Sequence, residues 1–405
     1  MKKNVFFLLI FMLFTSCMQQ GFVTGSQIVE EEEPEITQAE LTLMIYMAAD
    51  NDLEAYALQN LNDIKVADCY KVKVVVLLDR SEGYDETDGN WTDTRLFEAG
   101  NNELKQLDCP RLGLSCSTQT ELDMSNNRVL KSFIEFSRET YPAQRYALIM
   151  WGHGTGRAVA IDDKTQSFMS VHNLYLALKD AELSVIGFDT CFGGTIETVY
   201  ELKSCAAYTV GSAGLTLCTG WNYTGLLKAL EECPFDSDCC NCQIAKSMAD
   251  VCVSGATVFE NARLDSMVLA LEDFAKELAN TVTDSVSQKS VYDALLNCRS
   301  YSHNQYPCDM FLDIYSMAQL YAKSSVASLA LAAGGLMEQT EGLAASIHFI
   351  PKLSYSTTTV THSLAYIKDE SQTDQCAFVK ESLWWVPTIN GNSGSLLDKL
   401  FYTVF

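Results

Sequence analysis

Short, nearly unbroken apolar runs recur along this chain, and each stops at polar or glycine-rich punctuation. Residues 41–47, 72–78, 146–151, 185–188, 207–211 and 345–350 are of this kind. Runs of that length without polar alternation suit strands buried on both faces, as in a parallel sheet covered by helices. Other stretches carry helical spacing instead. Residues 53–64 put Leu58 and Leu61 on one face, with Asp50-Asn51-Asp52 as the expected cap. Residues 126–139 space Val129, Phe133 and Phe136. Residues 195–202 turn Ile196, Val199 and Tyr200 inward and leave Glu197 and Glu201 for solvent, and residues 266–281 and 310–322 read as amphipathic helices. Residues 81–90, rich in Gly, Asp and Glu, form a surface loop, and 91–99 a strand or hairpin arm. The alternation of strand and helix predicts an α/β layered sheet.

The chemistry concentrates between residues 146 and 191. One apolar run stops at Gly152-His153-Gly154, and the next stops at Asp189-Thr190-Cys191, followed by Gly193-Gly194. Two buried parallel strands joined by a crossover would set His153 and Cys191 just past neighbouring carboxyl ends, where open α/β sheets place ligands. A thiol is a nucleophile as thiolate, and a histidine in reach supplies the base. The flanking glycines let backbone amides approach a substrate oxygen. The pattern alone balances evenly between that dyad and a buried core thiol beside a hydrogen-bonded loop histidine.

Competing motifs are weaker. Gly152-x-Gly154-x-Gly156 resembles a dinucleotide-binding turn but ends in Arg157, and no acidic residue closes the next strand as required, so nucleotide binding is set aside. Gly211-Ser212-Ala213-Gly214 is too loose for a serine elbow. His172 and His348 read as structural. Asp162-Asp163 would cap a turn or bind a cation, with the turn preferred.

Charge and cysteine usage narrow the setting. A net charge of −24 would repel nucleic acid and anionic membrane surfaces. Lys2-Lys3, the apolar residues 5–14 and Thr15-Ser16-Cys17 form an export signal, too short to span a membrane as a mature helix. The small residues before Cys17 resemble a bacterial lipobox. That predicts a lipid on Cys17 and attachment to a membrane or cell surface, with ordinary secretion as the alternative. Residues 18–40, with Glu30 to Glu33 and Glu35, read as an acidic tether. Fifteen cysteines in an exported chain suggest disulfides; setting aside Cys17 and Cys191 leaves thirteen, so pairing within one chain is incomplete. Cys233, Cys239, Cys240 and Cys242 fit a disulfide-knotted loop better than a zinc site.

Several of these motifs together resemble the clostripain family of cysteine endopeptidases, relatives of caspases, legumains and gingipains. The likeness lies in Leu43-Met-Ile-Tyr-Met-Ala-Ala-Asp50-Asn51-Asp-Leu-Glu54, Val74-Val-Val-Leu-Leu-Asp79-Arg80, Met150-Trp-Gly-His153-Gly and Gly187-Phe-Asp189-Thr-Cys191-Phe-Gly-Gly. Gly220-Trp221-Asn-Tyr223, Cys308-Asp-Met-Phe-Leu-Asp313 and Ser346-Ile-His-Phe-Ile-Pro351 extend it over residues 41–351. The resemblance implies a caspase-like α/β/α sandwich with a mainly parallel central sheet and additional C-terminal helices and strands. The expected organisation is a signal at 1–17, a tether at 18–40, a catalytic region at 41–260 and a C-terminal extension packed on it at 261–405.

The resemblance also assigns roles. Cys191 would attack the carbonyl of a protein or peptide substrate, His153 would move protons, and the backbone amides of Gly154 and Cys191 would hold the oxyanion. Asp189 would face the pocket for the side chain before the scissile bond and favour Arg or Lys there. The stretch 213–218 lacks the acidic residues usual in relatives, which bears on that preference. The residues themselves require no cofactor, and calcium enters by resemblance alone. The contrasting expectation is a catalytically silent surface lipoprotein of the same fold that binds peptides or glycans.

Overall fold

Along the first strand, β1 (Ala39–Ala48), Leu41, Leu43, Ile45 and Met47 enter one core while Met44, Tyr46 and Ala48 enter another. The period of two gives a strand apolar on both sides, and such a strand is stable only with helices on both faces. The computed structural model describes residues 38–301 and 310–349, with short pieces at 378, 382–384 and 396–401. The export signal, Cys17 and residues 18–37 of the tether lie outside the described residues. The last two tether positions, Ala39 and Glu40, already belong to β1.

In chain order the remaining strands are β2 (Val72–Asp79), β3 (Thr94–Gly100), β4 (Glu103–Gln106), β5 (Ala143–Trp151), β6 (Ala158–Asp162), β7 (Ser167–Ser170), β8 (Leu183–Asp189), β9 (Ala206–Gly211), β10 (Thr257–Glu260), β11 (Met310–Asp313) and β12 (Ser346–Phe349). The helices are α1 (Glu54–Val66), α2 (Asn127–Thr140), α3 (Val171–Leu178), α4 (Ile196–Glu201), α5 (Tyr223–Glu231), α6 (Cys240–Asp250), α7 (Leu264–Asn280), α8 (Ser285–Leu296), α9 (Ile314–Tyr321), α10 (Ala327–Thr340) and α11 (Leu396–Phe401).

Eight strands form the main sheet in the order β10-β9-β8-β5-β1-β2-β3-β4. The central five, from β9 to β2, are parallel, and antiparallel strands finish both edges. Residues of α1, α5 and α6 pack on one face and residues of α2 and α3 on the other, which is the expected α/β/α sandwich. A further core joins α4 to α7, α8, α9, α10 and α11 and to the β11–β12 pair. Because β1 pairs with β2 on one side and β5 on the other, the strand order reverses at β1, and a crevice opens there beyond the carboxyl ends.

Four local expectations change. Residues 310–322 are a short strand followed by a helix; Asp313 ends β11 and caps α9 by accepting from Ser316 N at 2.7 Å. The helix after β1 starts at Glu54 without a side-chain cap, because its N-cap position is Leu53; of the triplet before it, Asn51 Oδ1 accepts from Leu53 N at 3.1 Å. Glu197 and Glu201 are buried, not solvent-facing: Glu197 accepts from His348 N at 3.0 Å, and Glu201 pairs with His172 Nδ1 at 2.9 Å. Finally, the twelve described cysteines are all free, including Cys233, Cys239, Cys240 and Cys242, so the knotted loop does not form among them.

Candidate functional site

Strands β5 and β8 are parallel neighbours in register, with Trp151 beside Asp189. His153 and Cys191 each follow two residues later, so both leave the sheet at the same height. Both line one cavity of about 620 Å³ at the carboxyl edge, together with Asp189, Leu53, Leu215, Leu217 and Phe311. The structure therefore brings His153, Gly154, Asp189 and Cys191 together.

The turns that present them are tightly built. Gly152 has φ +130°, and a Cβ there would lie 2.8 Å from the Ala48 carbonyl oxygen, so glycine is required. At Gly154 a Cβ would meet the Cys191 carbonyl oxygen at 2.5 Å and Thr190 Oγ1 at 2.7 Å. The two loops are thus in direct backbone contact. After Cys191, Phe192 takes φ +58°, a left-handed conformation that side chains seldom adopt. Its N–H donates to Gly214 O at 2.7 Å, and Gly194 N donates to Ser212 O at 2.8 Å. The turn at Cys191 is thereby fastened to the segment after β9.

The thiol of Cys191 is partly enclosed, and burial pushes it above the ordinary cysteine value. Thr216 N–H, pointing at Sγ from 3.3 Å, opposes that shift, whereas Cys218 and Asp189 add to it. A nucleophilic role for this thiol would therefore need a base. His153 Nε2 lies 2.6 Å from Asp52 Oδ1. With the carboxylate as acceptor, Nε2 carries a proton and Nδ1 is left as the basic nitrogen. Asp52 was hidden in the sequence as a helix cap, and only the approach of two loops reveals it.

Asp189 differs from the sequence expectation in its surroundings. Its Oδ2 accepts from Trp221 N at 2.9 Å and from Tyr223 Oη at 3.0 Å. Oδ1 is buried with no hydrogen-bond partner. Burial outweighs the two donors and pushes the carboxyl up to about 7. Asp189 therefore anchors the 219–223 segment as well as lining the cavity. The stretch 215–218 contributes Leu215, Thr216, Leu217 and Cys218 to the wall, and no carboxylate. His348 also lines the cavity, stacked on Phe311 at 4.9 Å between ring centres, a placement its strand-like surroundings did not suggest.

Comparison with known proteins converges on one group. The model described as the Clostripain family matches residues 45–373. Clostripain of Hathewaya histolytica is 29% identical over 189 residues, covering 40% of this chain and 36% of that protein, so the chain spans about a third of the length of this relative. Among solved structures, a secreted C11 cysteine protease from Bacteroides thetaiotaomicron, in complex with an irreversible peptide inhibitor, is similar with a TM-score of 0.56. It is 16% identical, with 80% of this chain and 96% of that one covered. An inactive zymogen C11 protease from Parabacteroides distasonis gives 0.59, with 17% identity and coverage of 82% and 96%. At such identities the likeness concerns the fold.

Proposed function

The chain belongs to the clostripain family, and from that premise we propose that it is a cysteine endopeptidase working through His153 and Cys191. The observation that carries this reading is the shared height of the two residues past β5 and β8, in one cavity, with Gly154 pressed on the backbone of Cys191. As Cys191 Sγ attacks the peptide carbonyl, its proton passes to His153. The oxyanion is held by the backbone amides of Gly154 and Cys191. Collapse breaks the C–N bond, the amine leaves with the proton from His153, and an acyl-enzyme remains. Water, deprotonated by His153, then hydrolyses the thioester and restores the thiol.

Specificity is read from the same cavity. Asp189, with one oxygen free of hydrogen bonds, offers negative charge to an Arg or Lys before the scissile bond. Leu215 and Leu217 would pack the methylene stem of such a side chain. The signal ending at Cys17 supports export and lipid attachment. The test is hydrolysis of fluorogenic peptides ending in Arg, Lys and several neutral residues by the wild type and by Cys191→Ala. Hydrolysis absent from the variant supports the reading. Equal background for both, with no labelling of Cys191 by an electrophilic peptide, rejects it in favour of a silent binding protein.

A further inference from the structure

We propose that Phe311 is a positioning residue, a ring wedged between the loops that carry His153 and Cys191 that fixes where the thiol stands. This role rests on the peptidase reading of those two residues, and it gives the strand pair β11–β12 a part in the site. Phe192 and Phe311 both line the cavity that holds His153 and Cys191.

The turn at Cys191 needs a hold from outside. Phe192, the next residue, takes φ +58°, and a residue with a Cβ stays in that left-handed region only when its surroundings impose it. Backbone bonds supply part of the constraint: Phe192 N–H donates to Gly214 O at 2.7 Å, and Thr195 N–H donates to Phe192 O at 3.4 Å. The side chain adds a second hold. Phe192 stacks on Phe311 with 4.1 Å between ring centroids and 23° between planes, so a rotation that released the left-handed turn would also break the ring contact.

Phe311 also touches the other loop. A Cβ placed on Gly156, three residues past His153, would lie 2.9 Å from Phe311 Cε1, 3.0 Å from Thr195 Cγ2 and 3.2 Å from Phe192 Cβ. The backbone of the His153 loop, the Phe192 side chain and the Phe311 ring therefore meet at one point. A shift of the ring moves both loops.

The ring is itself fixed from behind. Phe311 stands opposite His348 in the antiparallel pair β11–β12, and the two rings stack at 4.9 Å with 21° between planes. His348 N–H donates to Glu197 Oε1 at 3.0 Å, and Glu197 lies on α4, the helix that leaves the Cys191 turn. Thr195, at the cap position of α4, bridges to Ser346 of β12, whose Oγ donates to Ala213 O at 3.0 Å. The strand pair thus grips the turn on both sides. Among the described residues, Phe192 and Phe311 are buried yet belong to none of the three apolar cores. Their contact orders the site and not a core.

The test compares the full chain with Phe311→Leu, which keeps an apolar side chain but no ring, and with Phe311→Tyr, which keeps the ring. Phe192→Leu removes the same stack from its other side, and carries the test should Phe311→Leu not fold. One readout is the labelling of Cys191 by an electrophilic peptide, resolved into maximal rate and half-saturation. The other is hydrogen exchange of the segment 188–196. Circular dichroism and melting check the folding of each variant. Phe311→Leu should lower the maximal rate at least about tenfold, keep half-saturation within about threefold, and speed exchange in 188–196. Phe192→Leu should do the same, the double variant should lose little more than either, and Phe311→Tyr should stay near the wild type in both readouts. Wild-type behaviour of Phe311→Leu overturns the proposal, as does a loss confined to half-saturation or an equal loss in Phe311→Tyr. An unlabelled wild type refutes the peptidase reading instead, and exchange then decides: faster exchange in both leucine variants upholds the hold on the turn, and unchanged exchange overturns it.

Discussion

The Nε2 of His153 and the Oδ1 of Asp52 lie 2.6 Å apart although 101 residues separate them in the chain. A carboxylate there fixes the ring tautomer, which would leave Nδ1 free to act as the base of the proposed dyad. Replacing Asp52 by Asn should lower kcat by roughly tenfold with KM little changed. Steady-state constants of both proteins check this; an unchanged kcat would leave Asp52 as an incidental neighbour.

Gly154→Ala probes the backbone contact between the two loops. The new methyl would stand 2.5 Å from the Cys191 carbonyl oxygen, so one loop must shift. Overpacking of this kind costs about 1–3 kcal/mol. The expected outcome is a folded protein with a modestly reduced Tm and at least a hundredfold loss of kcat/KM. Circular dichroism and melting, run beside the peptide assay, separate the two effects.

Asp189 ties stability to pH. Its folded value of about 7 exceeds the value of about 3.9 in an unfolded chain, so the folded state holds the proton more tightly. That contribution to stability is fully present below about pH 4 and is lost as pH rises through about 7, and it amounts to at most about 4 kcal/mol. Chemical denaturation of the wild type and Asp189→Asn at several pH values should show this difference in slope. If Asp189 recognises basic side chains when ionised, the ratio of Arg to neutral-residue cleavage should rise between pH 6 and 8. A flat ratio would remove it from recognition.

Burial of the Cys191 thiol predicts slow alkylation of the free protein. Peptide-mapped reaction with iodoacetamide should give Cys191 a midpoint above the ordinary cysteine value unless His153 supplies the base. His153→Ala should then leave Cys191 unreactive near neutrality, while an electrophilic peptide labels the wild type rapidly.

Much of this arrangement was legible in the residues. The apolar runs of β1, β2, β5 and β8 identify a doubly covered sheet, and glycine-bounded strand ends locate His153 and Cys191. What escaped detection depends on contacts between distant segments. Asp50 and Asp52 look like cap residues because nothing local points to β6 or to His153. Glu197 and Glu201 occupy positions that a lone helix would expose, but α4 is covered by β12 and by His172. Residues 310–322 misled because a four-residue strand running straight into a helix leaves too little periodicity to separate the two.

The place of β1 has a kinetic corollary. Among the described residues, the first strand in the chain stands at the centre of the sheet, and its partner β5 begins at Ala143, more than 100 residues after Ala39. Pairing across such a separation is slow, since the intervening chain must be confined before the contact is gained. The residues assigned to catalysis come together only once β5 and then β8 have been added beside β1. A chain still emerging from the ribosome would therefore not yet hold His153 beside Cys191: the strand order itself delays their meeting until β5 and β8 have been made.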